Sequence, residues 1–504
     1  MNYLAFDLGG SSGKLSLARF ENGIIQMEKV HAFPNRPVSI SGHLCWDICA
    51  IYEELCKGIQ KAAALTDNRI DGIGFDSFCN DFALIGTDGQ LLAPVGCYRD
   101  EKTARCQAHT YSIMPPEDLY RINGNQIALF NTLLQLDAMR QEGQGDLLDQ
   151  AKHLLFVSDL FTWLLTGVPV TEYTTASVTQ MYDYGEDNWS DQILRAFDIR
   201  KDLFTPLVKP GTVVGMTSES FCKKNGTKAF PVTAVCQHDT ASAFLGSVGD
   251  GDCAIISTGT WCLVGVETER PVITKEGYAA NVANEGGYAG HHRLLRNVMG
   301  TWILQEFLRE AKNNGTDYTF EELDRMAAQS LKNASPEEWI WFDVDAPAFF
   351  RPGNMSEKID QGCLKACGRR PADTGELVCA VYISLALKYR YTIELLERMT
   401  GRAIASVNMI GGGSRSRLMC RITADVCGRP VTAGPADAAA CGNVLVQMLS
   451  GGVISSVEEG RGILRESISV SVYDPQDKVL WDSRYQTVKE NGFCNKSSEK
   501  GGTG

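Results

Sequence analysis

The chain has 504 residues, which is too long for one ordinary hydrophobic core, so two large domains are expected. Apolar residues make up 44% and charged residues 22%, the balance of a soluble globular protein. A net charge of −13 argues against nucleic acid or an anionic membrane surface as a partner.

The sequence also indicates the compartment. The N-terminal stretch MNYLAFDLGG lacks the basic and long apolar regions of a signal peptide, and no apolar run is long enough to span a membrane. The 17 cysteines are scattered, with no CxxC pair. We therefore expect a cytoplasmic protein with free thiols. The sequence leaves the oligomeric state open between a monomer and a homodimer.

The first predicted elements are a strand, a glycine-rich turn and a second strand. Residues 3–7 form an apolar run that ends in Asp7, residues 8–13 can only form a tight turn, and residues 14–20 alternate between apolar and polar. A third strand is predicted at residues 24–30, after an Asn-Gly turn signal.

Helical segments then alternate with short strands. Trp46-Asp47 is predicted to start a helix, and residues 70–75 form a buried strand that carries Asp76 and Asp81 at its end. Residues 115–170 are predicted to be mostly helical. Residues 203–214 contain two prolines and are predicted to be irregular or briefly extended.

The stretch 231–244, PVTAVCQHDTASAF, places a carboxylate at the junction between a predicted strand and a predicted helix. An apolar strand stops at Gln237, and Asp239 opens a helix of small residues. An aspartate there can cap the helix, and the positive end of the helix dipole keeps it ionised. A lone aspartate in this setting is usually only an N-cap, so a catalytic role needs support from elsewhere in the chain.

Residues 252–267 repeat the plan of the N-terminus: an apolar run, a turn at residues 257–260 and a second apolar strand. A duplicated α/β domain that presents one hairpin from each half to a shared cleft is the architecture of the actin-like ATPases. We therefore predict two actin-like (ribonuclease H-like) α/β domains with a cleft between them, at residues 1–244 and 245–485. A disordered tail is predicted at residues 486–504.

A third turn of small residues follows near the C-terminus. A long amphipathic helix is predicted at residues 376–399, then a strand at 407–410, the turn Gly411-Gly412-Gly413-Ser414 and a further helix. Small residues before a helix N-terminus can contact an anion or a nucleotide. Neither GxxxxGK nor GxGxxG is present at these turns, so the sequence supports neither a P-loop nor a Rossmann site.

Together these turns suggest phosphoryl transfer. Each turn offers backbone N–H groups that can approach phosphate oxygens, although any one of them could be purely structural. Asp7 suits Mg²⁺, which prefers carboxylate oxygen. Asp239 would accept the proton of a substrate hydroxyl, since an aspartate with the ordinary pKa of about 4 is ionised at neutral pH.

The motifs resemble those of the FGGY carbohydrate kinases from the N-terminus to about residue 475. The segments that carry the resemblance are AFDLGGSSGKLSLARF at 5–20, FNTLLQL at 130–136, EYTTASVTQ at 172–180, QHDTASA at 237–243, STGTW at 257–261, NEGG at 284–287, RNVMGTWILQ at 296–305 and GGGSRSRL at 411–418.

The resemblance implies a reaction and a set of site residues. The reaction would be transfer from Mg-ATP to the 1-hydroxyl of a ketose, L-rhamnulose for the branch of the family whose motifs fit best. Asp239 would be the base. The sugar would contact Cys79, His238, Asp239, Thr240 and Asn297, and ATP would contact Gly10, Ser11, Ser12, Gly13, Lys14, Thr260, Gln305, Gly411, Gly412 and Gly413.

Three positions depart from the family pattern. Phe78 and Cys79 stand where the family has Trp and Gly, beside the expected sugar site, and Lys14 stands where it has Arg. The first two leave open a different ketose, such as L-fuculose or L-xylulose. Lys14 keeps the charge but lacks the forked donor of arginine. A non-kinase actin-like ATPase is a further alternative, although the sugar motifs would then have no role.

Overall fold

The computed structural model describes residues 1–333 and 338–490. These residues cluster into two compact units, each built from separate pieces of chain. The first unit comprises residues 1–246, 267–294 and 438–468, and the second comprises 247–266, 295–437 and the chain from residue 469 onward. The chain first leaves the first unit after residue 246, next to the predicted domain boundary at 244. The later segments 267–294 and 438–468, which lie within the predicted second domain, belong to the first unit.

Strands and short helices alternate through the first 246 residues. Their bounds are β1 Asn2–Leu8, β2 Ser12–Glu21, β3 Ile24–Pro34, β4 Val38–Ile40, β5 His43–Trp46, α1 Ile48–Leu65, β6 Gly72–Ser77, β7 Phe82–Ile85, β8 Val95–Gly96, α2 Lys102–Ile113, α3 Pro116–Asn123, α4 Thr132–Gln141, α5 Gly145–Gln150, β9 His153–Phe156, α6 Val157–Thr166, β10 Thr171–Glu172, α7 Tyr173–Ala176, β11 Tyr182–Asp183, β12 Asn188–Trp189, α8 Asp191–Ala196, β13 Leu207–Val208, β14 Thr212–Met216, α9 Glu219–Asn225, β15 Pro231–Ala234 and α10 Asp239–Leu245.

The remaining elements include the longest helix, α15. Their bounds are β16 Cys253–Thr258, β17 Trp261–Thr268, α11 Lys275–Ala279, β18 Ala283–Gly286, β19 His292–Met299, α12 Trp302–Asn313, α13 Phe320–Asn333, α14 Met355–Cys367, α15 Thr374–Thr400, β20 Ser406–Gly411, α16 Arg417–Cys427, β21 Val431–Ala433, α17 Ala438–Ser450, α18 Val457–Ser467, β22 Ser471–Tyr473 and α19 Lys478–Glu490.

The predicted duplication is present in the sheets. The main sheet of the first unit has the order β14-β15-β6-β1-β2-β3, and the strands β22-β21-β20-β16-β17-β19 follow one another in the second sheet. In both, the first strand of the hairpin is antiparallel to the second strand and parallel to its other neighbour, β6 or β20. Two copies of one α/β plan therefore make up the fold.

The core follows from strand alternation and helix periodicity. Leu4, Phe6 and Phe75 are fully buried within the first sheet, and α1 covers this sheet with Leu55 and Ile59 on its apolar face. In the residues that the structure describes, no helix is both long and apolar enough to cross a membrane.

Several local predictions differ from the structure. Trp46 ends strand β5, and the helix begins only after Asp47, which caps it. Strand β9 interrupts the segment 115–170 that we predicted to be mostly helical. Residues 486–490 of the predicted tail belong to α19, and residues 491–504 lie outside the described residues.

Candidate active site

Three carboxylates lie close together in the first unit. Asp7 of β1 and Asp76 of β6 are partners in the parallel register, and Asp239 follows β15, the next strand of the sheet. Asp7 raises the pKa of both Asp76 and Asp239, which reflects their proximity. The carboxyl ends of parallel strands form one edge of a sheet, and ligands usually bind there.

Asp76 is the most deeply buried of the three carboxylates. Asn443 Nδ2 donates to its Oδ2 at 2.6 Å. In the described part of the chain, no group hydrogen-bonds to its Oδ1. Burial, followed by the charge of Asp7, raises the pKa of Asp76 well above its usual range, and the bond from Asn443 opposes that rise.

Asp239 differs from the sequence expectation in two respects. The N-cap of α10 is His238, and Asp239 is the first helical residue. Its pKa is raised to about 7, chiefly by burial and then by Asp7, while bonds from Thr240 oppose the rise. The Oδ1 atom of Asp239 accepts from the backbone N–H of Thr240 at 2.6 Å and from its hydroxyl at 3.1 Å. Asp239 is therefore a stronger base than an ordinary aspartate, and its side chain is 34% exposed.

The glycine-rich turn between β1 and β2 packs closely against its neighbours. Gly9 N–H donates to Ser12 O at 2.9 Å. A Cβ on Gly10 would lie 2.5 Å from the Tyr98 hydroxyl, and one on Gly13 would lie 2.2 Å from the Phe33 ring. Packing thus accounts for glycine at both positions, and phosphate binding by residues 10–14 stays a prediction.

The carboxylates of Asp7 and Asp76 could bind a hard cation whose remaining ligands come from the substrate. Lys14 Nζ lies 3.8 Å from Asp7 Oδ2, its partner across the hairpin. Across the described ranges, no three His, Cys, Asp or Glu side chains form a complete metal site. Mg²⁺ usually takes one or two protein carboxylates and completes its shell with water and phosphate oxygens. Asp7 and the unpartnered Oδ1 of Asp76 suit that pattern.

The predicted sugar ligands of the first unit lie around Asp239. Ser77 and His238 pair as a parallel bridge, which brings Cys79 beside residues 238–240. Burial, and after it Glu285 and Asp239, raises the pKa of the Cys79 thiol well above its usual range, so it stays protonated. Phe78 stacks on Trp46 with ring centroids 4.5 Å apart.

His238 is already engaged through both ring nitrogens. Its Nε2 lies 3.0 Å from the Thr240 hydroxyl, and its Nδ1 lies 3.0 Å from a guanidinium nitrogen of Arg293. Burial and the positive charge of Arg293 lower the pKa of His238 well below its usual range, so the ring is neutral.

Sequence reasoning missed three residues here: Glu285, Arg293 and Asn443. The first two form a buried ion pair with N···O 2.9 Å. Glu285 lies on β18 and Arg293 on β19, two strands that were not predicted from the sequence, so no local signal pointed to either charge. Asn443 lies on α17 with Gln447 one turn later, and this polar pair interrupts an apolar helix.

The second unit holds the other two turns side by side. Thr258 and Gly411 are partners in the parallel register of β16 and β20, and the Thr258 hydroxyl donates to Ile410 O at 2.5 Å. Gly411 has φ 81°, and a Cβ there would lie 2.5 Å from Thr258 O. Only glycine fits such a position. Gly412 faces open space.

Thr260 and Gln305 are linked beside the hairpin turn. Thr301 donates both its N–H, at 2.9 Å, and its hydroxyl, at 2.8 Å, to Gly259 O. Gln305 Nε2 donates to the Thr301 hydroxyl at 3.1 Å, and the Thr260 hydroxyl donates to Gln305 Oε1 at 3.4 Å. Asn297, a residue of the second unit, is half-buried on β19.

Solved structures with the same fold include a xylulose kinase and a glycerol kinase. The ligand-bound xylulose kinase from Lactobacillus acidophilus superposes with a TM-score of 0.81 and 16% identity, covering 97% of this chain and 96% of that one. Plasmodium falciparum glycerol kinase with ADP gives a TM-score of 0.78 and 14% identity, covering 97% of both chains.

Several relatives in sequence are rhamnulokinases. A rhamnulokinase from Bacteroides thetaiotaomicron is 36% identical over 96% of this chain and 98% of its own length. A rhamnulokinase from Enterococcus faecalis is 36% identical over 96% of both chains. Family models for the N-terminal and C-terminal domains of the FGGY family of carbohydrate kinases match residues 2–246 and 254–451. The chain therefore belongs to the FGGY family of carbohydrate kinases.

Proposed function

We propose that the protein transfers the terminal phosphoryl group of Mg-ATP to the 1-hydroxyl of L-rhamnulose. The observation that carries the proposal is the setting of Asp239, a partly exposed carboxylate with a raised pKa that lies beside two further strand-end carboxylates. The relatives named rhamnulokinase, 32–36% identical to the chain, support the choice of sugar.

In the proposed reaction, Asp239 removes the hydroxyl proton as the sugar oxygen attacks the γ-phosphorus. The bond from that phosphorus to the bridging oxygen of ADP breaks, and the proton stays on the Asp239 carboxyl. A base with a pKa of about 7 is well matched to neutral pH. Mg²⁺, held through Asp7 and Asp76, would neutralise phosphate charge, and Lys14 beside Asp7 would add positive charge to the same region.

The nucleotide side of the proposal rests on the second unit. The Gly411–Gly413 turn leads into α16, whose N-terminus attracts negative charge through its dipole. Gly412 leaves its backbone open to a ligand, and Thr260 and Gln305 lie beside the neighbouring hairpin turn. These residues would contact ATP, together with residues 10–14 of the first unit.

The sugar would contact Cys79, His238, Thr240 and Asn297 in addition to Asp239. The Cys79 thiol, in place of the family's glycine, adds a side chain beside the proposed sugar site, and this departure favours a different ketose as a second candidate. The cellular setting belongs to the same proposal: a cytoplasmic monomer or homodimer that acts on small molecules, with neither nucleic acid nor a membrane as partner.

The test combines a ketose panel with one variant. With ATP and Mg²⁺, L-rhamnulose should give the highest kcat/KM among L-rhamnulose, L-fuculose and L-xylulose. Asp239→Asn should lower kcat by about 100-fold or more, the range of general base catalysis, and leave ATP affinity unchanged.

Asp67→Asn is the matched control, because the Asp67 side chain is 87% exposed and pairs with Arg69. An active Asp239→Asn enzyme would remove Asp239 from the role of base. ATP hydrolysis that no ketose stimulates would contradict the kinase activity itself, and a preference for another ketose would contradict the choice of sugar.

A further inference from the structure

A buried row of side chains leads to Asp239 within the first unit. Arg293 and Glu285 are only 1% and 2% exposed, and Arg293 Nε also donates to Gly286 O at 3.0 Å. The row continues from Arg293 to His238 and from His238 to Thr240, which contacts Asp239. None of the motifs that suggested the function assigns a role to Arg293.

The first contact of the row determines the state of the His238 ring. A guanidinium carries only donors and does not lose its proton in proteins. The Nδ1 atom, 3.0 Å from Arg293, must therefore be an acceptor. Because the ring is neutral, its single proton lies on Nε2. Glu285 Oε2 is the competing partner of Nδ1, at the longer distance of 3.4 Å.

The second contact then determines the direction of the Thr240 hydroxyl. That hydroxyl has one proton and two neighbours, His238 Nε2 at 3.0 Å and Asp239 Oδ1 at 3.1 Å. Because Nε2 carries a proton, the Thr240 oxygen accepts from His238 and its own proton points to Asp239. With the opposite tautomer, the proton would be drawn to His238, and two oxygens would face each other without a hydrogen between them.

We propose that Arg293 is a positioning residue that holds His238 as the Nε2–H tautomer and thereby directs the Thr240 hydroxyl at Asp239. The proposal rests on the proposed role of Asp239 as base. Both donors from Thr240 reach Oδ1 and hold that oxygen, which leaves Oδ2 as the oxygen that would accept the proton of the sugar hydroxyl. Arg293 and His238 thus act through Thr240 and touch no reacting atom.

The tautomer can be measured without any activity assay. ¹⁵N NMR of protein labelled at its seven histidines distinguishes protonated from unprotonated ring nitrogens, and the His238 signals are those missing from His238→Gln. We expect a protonated Nε2 and an unprotonated Nδ1 at neutral pH. The opposite tautomer, or a doubly protonated ring, would overturn the proposal.

A paired substitution removes the cause of the tautomer. Arg293→Met combined with Glu285→Gln takes away both buried charges, so no lone charge remains in the interior. In this variant the His238 ring should exchange between its two tautomers. An unchanged, single Nε2–H signal in the folded variant would show that Arg293 does not set the tautomer.

The catalytic consequence is tested at Thr240, in case the paired variant does not fold. Thr240→Val keeps the shape of the side chain but removes the hydroxyl, and Thr240→Ser keeps the hydroxyl. Thr240→Val should lower kcat about tenfold with the KM for ATP unchanged, the size of one hydrogen bond to a charged group. Thr240→Ser should retain most of the activity.

The outcomes separate this inference from the proposed function. If the wild-type protein phosphorylates no ketose, the proposed function fails, whereas the tautomer measurement still tests the row of contacts. If the wild-type protein is an active kinase and folded Thr240→Val keeps the full kcat, the positioning role fails and the kinase activity stands.

Discussion

Among individual residues, Asp239 has the property that bears most directly on the proposed catalysis, its affinity for a proton. Burial and the nearby Asp7 both disfavour the ionised form, and they raise the pKa to about 7. The carboxyl is therefore partly protonated at neutral pH. In its proposed role as base it must be ionised, so activity should be lost on the acidic side of its pKa.

The first prediction concerns pH dependence. The kcat/KM for the sugar should rise with pH through about 7 and then level off, because this quantity reports the ionisation of the free enzyme. The measurement is a pH–rate profile at a Mg-ATP concentration well below its KM, so that the enzyme form titrated carries no nucleotide, with circular dichroism at each pH to exclude unfolding.

The pH–rate profile of the Thr240→Val variant tests the same assignment of the pKa. Both bonds from Thr240 lower the pKa of Asp239, and this variant removes the one from the hydroxyl. The pKa should therefore rise, and the increase in activity should move to higher pH. Thr240→Ser should follow the wild-type profile. A profile that is flat down to pH 5 or so in the wild-type protein would mean that no group with a pKa near 7 limits the reaction.

At the scale of the elements, helices α10 and α17 pack against each other very closely within the first unit. Each helix follows an equivalent strand of its copy, β15 or β21, so the pair reflects the duplication. The backbones approach so closely that a Cβ on Gly442 would lie 1.8 Å from Ser242 O, and one on Gly246 would lie 2.1 Å from Ala438 O. Only glycine allows this approach, and it places Asn443 of α17 against Asp76.

Gly442→Ala should therefore be strongly destabilising. The added methyl group meets backbone, which cannot rotate away, so the helices must separate; the expected loss in free energy of unfolding is about 3 kcal/mol. Gly462→Ala on α18 is the matched control, since a Cβ there meets nothing within 4 Å, and alanine should stabilise that helix by about 1 kcal/mol. Urea denaturation of both variants measures the difference in stability. Equal urea midpoints for the two variants would contradict the close approach of α10 and α17.

For the whole molecule, the repeated part of the fold could be predicted from the sequence. The hairpins β1–β2 and β16–β17 are marked by turns of Gly, Ser and Thr between apolar runs, and both occupy equivalent places in their sheets. Asp239 could be placed at a strand–helix junction because its signals are local. Its raised pKa could not be predicted, because it depends chiefly on burial and then on Asp7, a residue distant in sequence.

The features that could not be predicted are contacts between segments that are distant in sequence. Asn443 bonds to Asp76 across 367 residues, and Arg293 reaches His238 across 55. No local pattern states which partner a buried polar group will find, because that depends on how the elements pack. The return of segment 438–468 to the first unit was missed for the same reason.

Because residues 438–468 belong to the first unit, a fragment that lacks them should be less stable than the full chain. A fragment of residues 1–246 keeps every strand of the first sheet but loses α17. Asp76 then loses the Asn443 donor, and Leu4 O loses the bond from Gln447 Nε2 at 2.9 Å. The apolar face of α10 that packs on α17 also becomes exposed, at a cost of about 25 cal/mol for each Å².

We therefore expect the 1–246 fragment to melt without a cooperative transition and to bind a hydrophobic dye, whereas the full chain melts cooperatively. Joining residues 438–468 to the fragment through a flexible Gly/Ser linker restores the missing donors and covers α10, so part of the cooperativity should return. A sharp transition of the fragment alone, close to that of the full chain, would mean that the first 246 residues are a self-sufficient domain and that α17 only rests on it.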